Sequence, residues 1–337
     1  MGSHRRTAPS SGAERSAALA LGLLSAAATA LGAVPATAAP QEDTRAEVDR
    51  LYREAEKATE AYNAADERAD ALRREIADAQ DGIARKQQRV NTMREALGSL
   101  AGSQYRSGGL DPALALLLSD DPEDYLEKAS VLDRIGARQA AQLKRLRGTL
   151  RSLSQDRAEA AKRLGALERS RKAAATHKRT VEGKLAEARR LLDSLPAGER
   201  AAWDRASRSG RTDLPGPGGA PASGRAAAAL AAARSALGKP YVWGASGPSA
   251  FDCSGLTQWA YAQAGVALPR TSQAQRYAGR QVPLSEARPG DLVLYRSDAS
   301  HVGMYTGNGQ VIHAPYPGAP VRYDPVGMMP VSSVTRV

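Results

Sequence analysis

From Val48 onward, apolar residues return at alternating three- and four-residue spacings. Val48, Leu51, Ala55, Ala58, Tyr62, Ala65, Ala69, Leu72, Ile76, Ala79 and Ile83 lead to Val90, Met93, Leu97 and Leu100, with Lys86 as the one break. A seven-residue apolar repeat kept up this long makes helices wind around each other in a left-handed coil. A second series runs from Tyr125 through Leu132, Leu146, Leu153, Leu167, Val181 and Leu185 to Leu195, and Gly136, Gln139, Arg157, Arg171 and Lys178 interrupt it. Between the two lies GSQYRSGGLDPALALLLSDDPEDYL. Gly102 and the Gly108-Gly109 pair are expected to end the first helix, while Asp111-Pro112 and Asp121-Pro122 each read as a cap followed by a proline in the first turn. The economical expectation is a long antiparallel hairpin over residues 40–206, with a small helical tip at about 102–121 and arms of roughly 90–110 Å at ~1.5 Å per residue. Parallel dimerisation through the same repeat is the competing arrangement. Leu114, Leu116, Leu117 and Leu118 either pack onto the hairpin end or form a docking patch.

The flanks differ in kind. Residues 1–39 combine a basic start (His4, Arg5, Arg6, Arg15), the apolar run AALALGLLSAAATALGAV and the small-residue motif Ala36-Thr37-Ala38. That is the pattern of a cleaved secretory signal peptide, and it predicts export to the cell wall or beyond. Residues 207–224, SRSGRTDLPGPGGAPASG, read as a flexible linker. Residues 225–337 are long enough for one compact domain. Within it an alanine-rich helix, Arg225–Leu237, is stopped by Gly238, and a second helix runs from about Ser254 to Ala264, ended by Gly265. Short β-rich runs follow at 291–295, 301–305, 310–314 and 321–324, so helices precede a strand meander in an α+β unit. The net charge of +11 favours an anionic partner. No aromatic-basic interleaving calls for nucleic acid. No metal-ligand spacing is present either, so neither a metal nor another cofactor is expected.

One cysteine stands in the whole chain, Cys253 in FDCSGLTQWAY. An exported protein normally keeps cysteines in pairs, so a lone one is either a small buried hydrophobe or a working thiol. Its position at a helix start favours the second. Free backbone N–H groups and the positive end of the helix dipole lower a thiol pKa and can hold an oxyanion. A thiolate nucleophile also needs a base, and of the four histidines His301 and His313 share the cysteine's domain.

Those two histidines lie on either side of Gly307-Asn308-Gly309. A two-residue Asn308-Gly309 loop would put them on opposite faces of the hairpin. A three-residue Gly-Asn-Gly loop would set His313 opposite Gly303, beside His301 and on its face. The odd-length loop is the expectation, with His301 as base and His313 orienting it.

YVWG (241–244), FDCSGLTQWAY (251–261), LPRTS (268–272), RPGDLVLY (288–295) and SHVGMYTGNGQVIHAP (300–315) closely resemble the cell-wall peptidases of the NlpC/P60 family. The coil resembles N-terminal segments of secreted actinobacterial peptidoglycan hydrolases of the RipA/RipC type. The resemblance implies an α+β papain-like NlpC/P60 domain preceded by the antiparallel coiled coil. It further implies Cys253 as nucleophile, His301 as base and His313 as polar third member. Tyr241 would lie beside the nucleophile near the oxyanion, while Asp252 and Ser254 match positions that touch the stem peptide in some members. For Tyr241 a plain core role stays open, and for Asp252 and Ser254 plain helix capping. Trp243 is core or groove wall. Ala245 departs from the family, where glycine is frequent after Trp-Gly.

The implied substrate is the peptide stem of peptidoglycan, cut between D-γ-glutamyl and diaminopimelate through an acyl-enzyme. For the coil, the resemblance suggests a membrane division complex of the FtsEX type, and the linker suggests that the coil covers the groove until released. Two rivals remain: a papain-like amidase acting on another wall bond, and a coiled-coil adaptor that activates other hydrolases.

Overall fold

The computed structural model describes residues 40–106, 122–208 and 219–337. The expected signal peptide, most of the hairpin tip with its leucines and most of the linker lie outside those residues. Among the described residues no helix is long and apolar enough to cross a membrane.

Two long helices, α1 (Pro40–Arg106) and α2 (Pro122–Ser194), account for most of the first 200 residues. The repeat decides what they bury. Val48, Leu51, Ala55, Ala58, Ala69, Leu72, Ile76 and Val90 of α1 are buried, as are Leu153, Ala160, Ala174, Val181, Leu185 and Ala188 of α2. Cross-helix partners run in opposite directions: Glu54 with Lys184, Ala65 with Ser170, Glu75 with Arg163 and Lys86 with Ser152. The pair is therefore antiparallel within one chain. Gly102 does not end α1, which continues to Arg106. A single glycine inside a helix costs about 1 kcal/mol, too little to break one with good formers on both sides. The interruptions in the second series show as exposure, with Leu143 and Leu164 both open to solvent. A break at Pro196 separates α2 from the short α3 (Ala197–Arg208).

The C-terminal unit has α4 (Gly224–Ser235), α5 (Cys253–Gln263) and the one-turn α6 (Ser272–Gln275), then β1 (Arg280–Val282), β2 (Leu292–Tyr295), β3 (His301–Gly307), β4 (Gln310–His313), β5 (Arg322–Pro325) and β6 (Val331–Arg336). The strands form one antiparallel sheet in the order β1-β6-β2-β3-β4-β5. The meander from β2 to β5 is the one the sequence suggests. Strands β1 and β6 are additional, because three residues (Arg280-Gln281-Val282) and the mostly polar VSSVTR carry little β signal. Side-chain alternation splits the core in two. Leu292, Leu294, Val302, Met304 and Ile312 pack with Leu230, Phe251, Leu256 and Tyr261 of the helical layer. Val282, Val293, Tyr295, Val311 and Val334 form a second cluster on the other face.

Candidate active site

Cys253 is the first residue of α5, and Asp252 caps that helix by accepting from the Gly255 amide at 2.7 Å. Asp252 is fully buried and saturated. Its carboxylate also takes the Gly244 amide at 2.9 Å and a two-pronged ion pair from Arg270 at 2.6 and 3.0 Å. Asp252 therefore has the capping role, reinforced by a partly buried arginine that the sequence reading did not single out. Gly255 makes this corner possible. A Cβ there would come within 2.2 Å of the Ala245 carbonyl oxygen and 2.9 Å of the capping carboxylate. Tyr241, also buried, is bridged to Phe251 just before α5. Burial, then the neighbouring Cys253 sulfur, pushes its phenol well above the ordinary range.

The two histidines meet, by a different device from the one expected. The tip of the hairpin is the tight Asn308-Gly309 turn with Gly307 opposite Gln310, and Gly307, Asn308 and Gly309 all have positive φ (93°, 53° and 69°). A bulge between Tyr305 and Gly307 then shifts the register by one, giving Tyr305↔Val311 and Met304↔Ile312. The net register equals that of the odd loop, so His313 faces Gly303 and lies beside His301. The space at Gly303 matters, because a Cβ there would sit 3.3 Å from that of His313.

A relay results. His301 Nε2 lies 2.8 Å from His313 Nδ1, and His313 Nε2 lies 2.9 Å from Asp324 Oδ2. Asp324 is also paired with Arg322 at 2.8 Å. Burial pushes the Asp324 carboxyl up, but His313 and Arg322 outweigh it and hold it below the carboxylate range. Burial, above all, drives His313 down to about 4. The chain of donors then has one consistent direction. The Asp324 carboxylate accepts from His313 Nε2–H and His313 Nδ1 accepts from His301 Nε2–H, which leaves His301 Nδ1 as the nitrogen that faces Glu56. A ring nitrogen of His301 and Cys253 Sγ lie within 4.8 Å of each other. Asp324 is the member that the sequence reading missed. It sits in the β-rich run 321–324, and nothing local marks it as facing a histidine.

The site is covered. Helix α1 lays Glu56, Glu60 and Asn63 across it, residues one helical turn apart and thus on one face. Glu56 contacts His301 Nδ1 through one oxygen and Arg296 through the other. Glu60 accepts from the Ser272 amide and from Ser254 Oγ, both at 2.7 Å, and the Cys253 thiol points at it from 3.7 Å. Asn63 donates to Asp252 at 3.1 Å. Around these, Tyr52 stacks on Tyr316 at 5.2 Å and Tyr62 meets Trp243 edge-on at 5.3 Å. Trp243 packs both against the core of the domain and against the cluster of Ala55, Ala58, Val181 and Leu185 in the coil.

Cys253 is 1 % exposed. Burial first, then the charges of Glu60, Glu56 and Asp252, push its thiol well up. The expectation of a helix-dipole thiolate is therefore reversed in this closed arrangement. The dipole is present, but three carboxyl groups and a dry site outweigh it. Burial and the nearby Asp252 raise Glu60 to about 7. Burial also pushes Glu56 up, yet His301 and Arg296 hold it below its usual value. None of the α1 residues was legible as a site residue, since polar side chains on a helix flank read as solvated.

Residues 238–334 match the model of the NlpC/P60 family. The C-terminal domain is an NlpC/P60 domain. That family consists of cysteine peptidases, and Cys253 with His301 has the arrangement such chemistry requires. The chain is 48% identical over 124 residues to the probable endopeptidase Cgl2188 of Corynebacterium glutamicum, a match over 37% of this chain and 59% of that protein. It is 29% identical over 337 aligned positions to the probable endopeptidase Rv2190c of Mycobacterium tuberculosis, spanning 86% of this chain and 88% of the relative. Among solved structures, the NlpC/p60 domain of the peptidoglycan hydrolase SagA is 37% identical, over 33% of this chain and 98% of that one, with a TM-score of 0.32. The chain thus spans less than two thirds of the Corynebacterium protein but most of the mycobacterial one.

Proposed function

We propose that this protein is an exported cysteine endopeptidase that cuts the peptide stems of peptidoglycan and is held latent by its own coiled coil. The observation that carries the reading is the Cys253 sulfur at a helix start, within 4.8 Å of an imidazole that a His313–Asp324 relay orients. With α1 displaced, His301 Nδ1 takes the thiol proton and the thiolate adds to the scissile carbonyl. In this reading the Cys253 amide at the helix start and the nearby Tyr241 stabilise the oxyanion. The imidazolium gives its proton to the departing amine, leaving a thioester on Cys253. Water, deprotonated by His301, then releases the acid and restores the thiol.

The finer reading is cleavage between D-γ-glutamyl and diaminopimelate, in the cell wall, with the hairpin docking to a membrane division complex of the FtsEX type that pulls α1 away. The family resemblance supports the bond and the partner, and residues 1–39 support export. Latency is supported by the position of Glu56 and Glu60 over the sulfur and imidazole. The test is digestion of purified cell wall by the full chain, by Tyr52→Ala/Glu56→Ala and by the same double variant with Cys253→Ala, followed by mass analysis of the fragments. The expected result is weak release by the first, strong release of stem fragments ending in D-glutamate by the second, and none by the third. Sugar–peptide cleavage products would show an amidase instead, and full release by the third would remove the enzyme reading.

A further inference from the structure

Closure of α1 assembles a ligand set that neither half of the molecule has alone. Glu56 of α1, Cys253 of α5 and His301 of β3 each present one donor atom, all three donors lie within 4.8 Å of one another, and all three residues are buried. Thiolate sulfur, neutral imidazole nitrogen and carboxylate oxygen form a donor set that zinc favours. The sequence could not show this, since Glu56 and His301 are 245 residues apart.

Two further features point to a cation. Glu56 and His301 Nδ1 already meet directly at the position a metal would bridge. The surroundings also match the outer shell of a zinc site. His301 hands its other nitrogen to His313 and thence to Asp324, while the second oxygen of Glu56 is held by Arg296. Ligands of tetrahedral zinc stand roughly 3.3–3.8 Å apart at ordinary bond lengths of ~2.0–2.3 Å. Three donors within 4.8 Å of one another lie close to that spacing.

We propose that the closed protein binds one zinc ion through Glu56, Cys253 and His301, and that the ion clamps the coil over the site. Binding displaces the thiol proton and the proton between Glu56 and His301 to solvent, and forms Zn–S, Zn–N and Zn–O bonds with no redox change. The inference rests on the closed arrangement and not on which wall bond is cut, so it stands or falls separately from the substrate reading.

The experiment uses the metal-freed full chain, titrated with zinc chloride against a chromophoric chelator at neutral pH. The expected result is one ion per chain at sub-micromolar affinity, weakened at least tenfold by Glu56→Gln. Cobalt(II) in place of zinc should give a thiolate-to-metal charge-transfer band that Cys253→Ser abolishes. Zinc should also raise the Tm of the wild-type chain. Should Glu56→Gln disturb the fold, the cobalt band and its loss in Cys253→Ser still decide whether the thiol ligates. Zinc affinity unchanged in folded Glu56→Gln would reduce the site to an open Cys–His pair and overturn the clamp. Absence of binding up to about 100 μM zinc, on a scale where structural sites bind far tighter, would overturn the site altogether.

Discussion

A single carboxylate sets the direction of the relay through His301. Asp324 accepts from His313, and the direction of every later hydrogen bond follows from that. Asp324→Asn changes little in volume, but its amide can donate where the carboxylate accepted, which reverses the relay and puts the proton on His301 Nδ1. Turnover by a chain opened with Tyr52→Ala should fall ~10²–10⁴-fold, the range seen when a base loses its tautomer or its partner, with Tm nearly unchanged; wall digestion and a thermal melt would read the two. Asp252 belongs to the opposite class. Fully buried, it caps α5 and neutralises Arg270. Asp252→Ala should cost about 3–5 kcal/mol, because it strands a poorly solvated guanidinium, and urea unfolding measures the loss. Equal stability in that variant would mean that Arg270 finds another anion.

The element that matters most is the first third of α1. Its repeat residues bury against α2, while the flank beside them carries Tyr52, Glu56, Glu60 and Asn63 onto the peptidase domain. One helix thus serves two interfaces. Tyr52→Ala removes the stack on Tyr316 without touching a polar contact to the sulfur. Such a pair contributes about 0.5–1.5 kcal/mol beyond its buried area, so Cys253 should react with a thiol reagent roughly 2- to 12-fold faster than in the wild-type chain. No change in rate would mean that the cover opens without separating those rings. The hairpin of β3 and β4 teaches a different lesson. The sequence allows a two-residue or a three-residue loop there, with the three-residue loop expected, and the chain uses the two-residue turn together with a bulge. The histidines end on one face either way, since a bulge and an extra loop residue shift the alternation equally.

At the scale of the whole molecule, charge and cover separate. The net charge of +11 is a property of the surface, whereas the cover rests on carboxylates that are almost fully buried. Salt screens exposed charges and leaves buried pairs largely alone. Raising salt from about 0.05 to about 0.5 M should therefore leave the rate of Cys253 labelling within about twofold, while weakening attachment to an anionic wall. A steep rise in labelling with salt would place the cover's strength in rim pairs such as Lys57–Asp298 at 3.4 Å.

What the sequence determined by itself is what depends on near neighbours along the chain. The seven-residue repeat dictated two long helices, Asp252 and the residues after it dictated a helix start at Cys253, and the glycines around Asn308 dictated a hairpin between the two histidine-bearing strands. Each of these follows from local backbone geometry and side-chain period. Tertiary structure alone decided that Asp324 completes the relay, that Arg270 shares its charge with Asp252, and that Glu56 and Glu60 stand over the sulfur. Those are meetings between side chains up to 245 residues apart. On its own helix, a glutamate turned towards a buried imidazole has the same neighbours as one turned towards water.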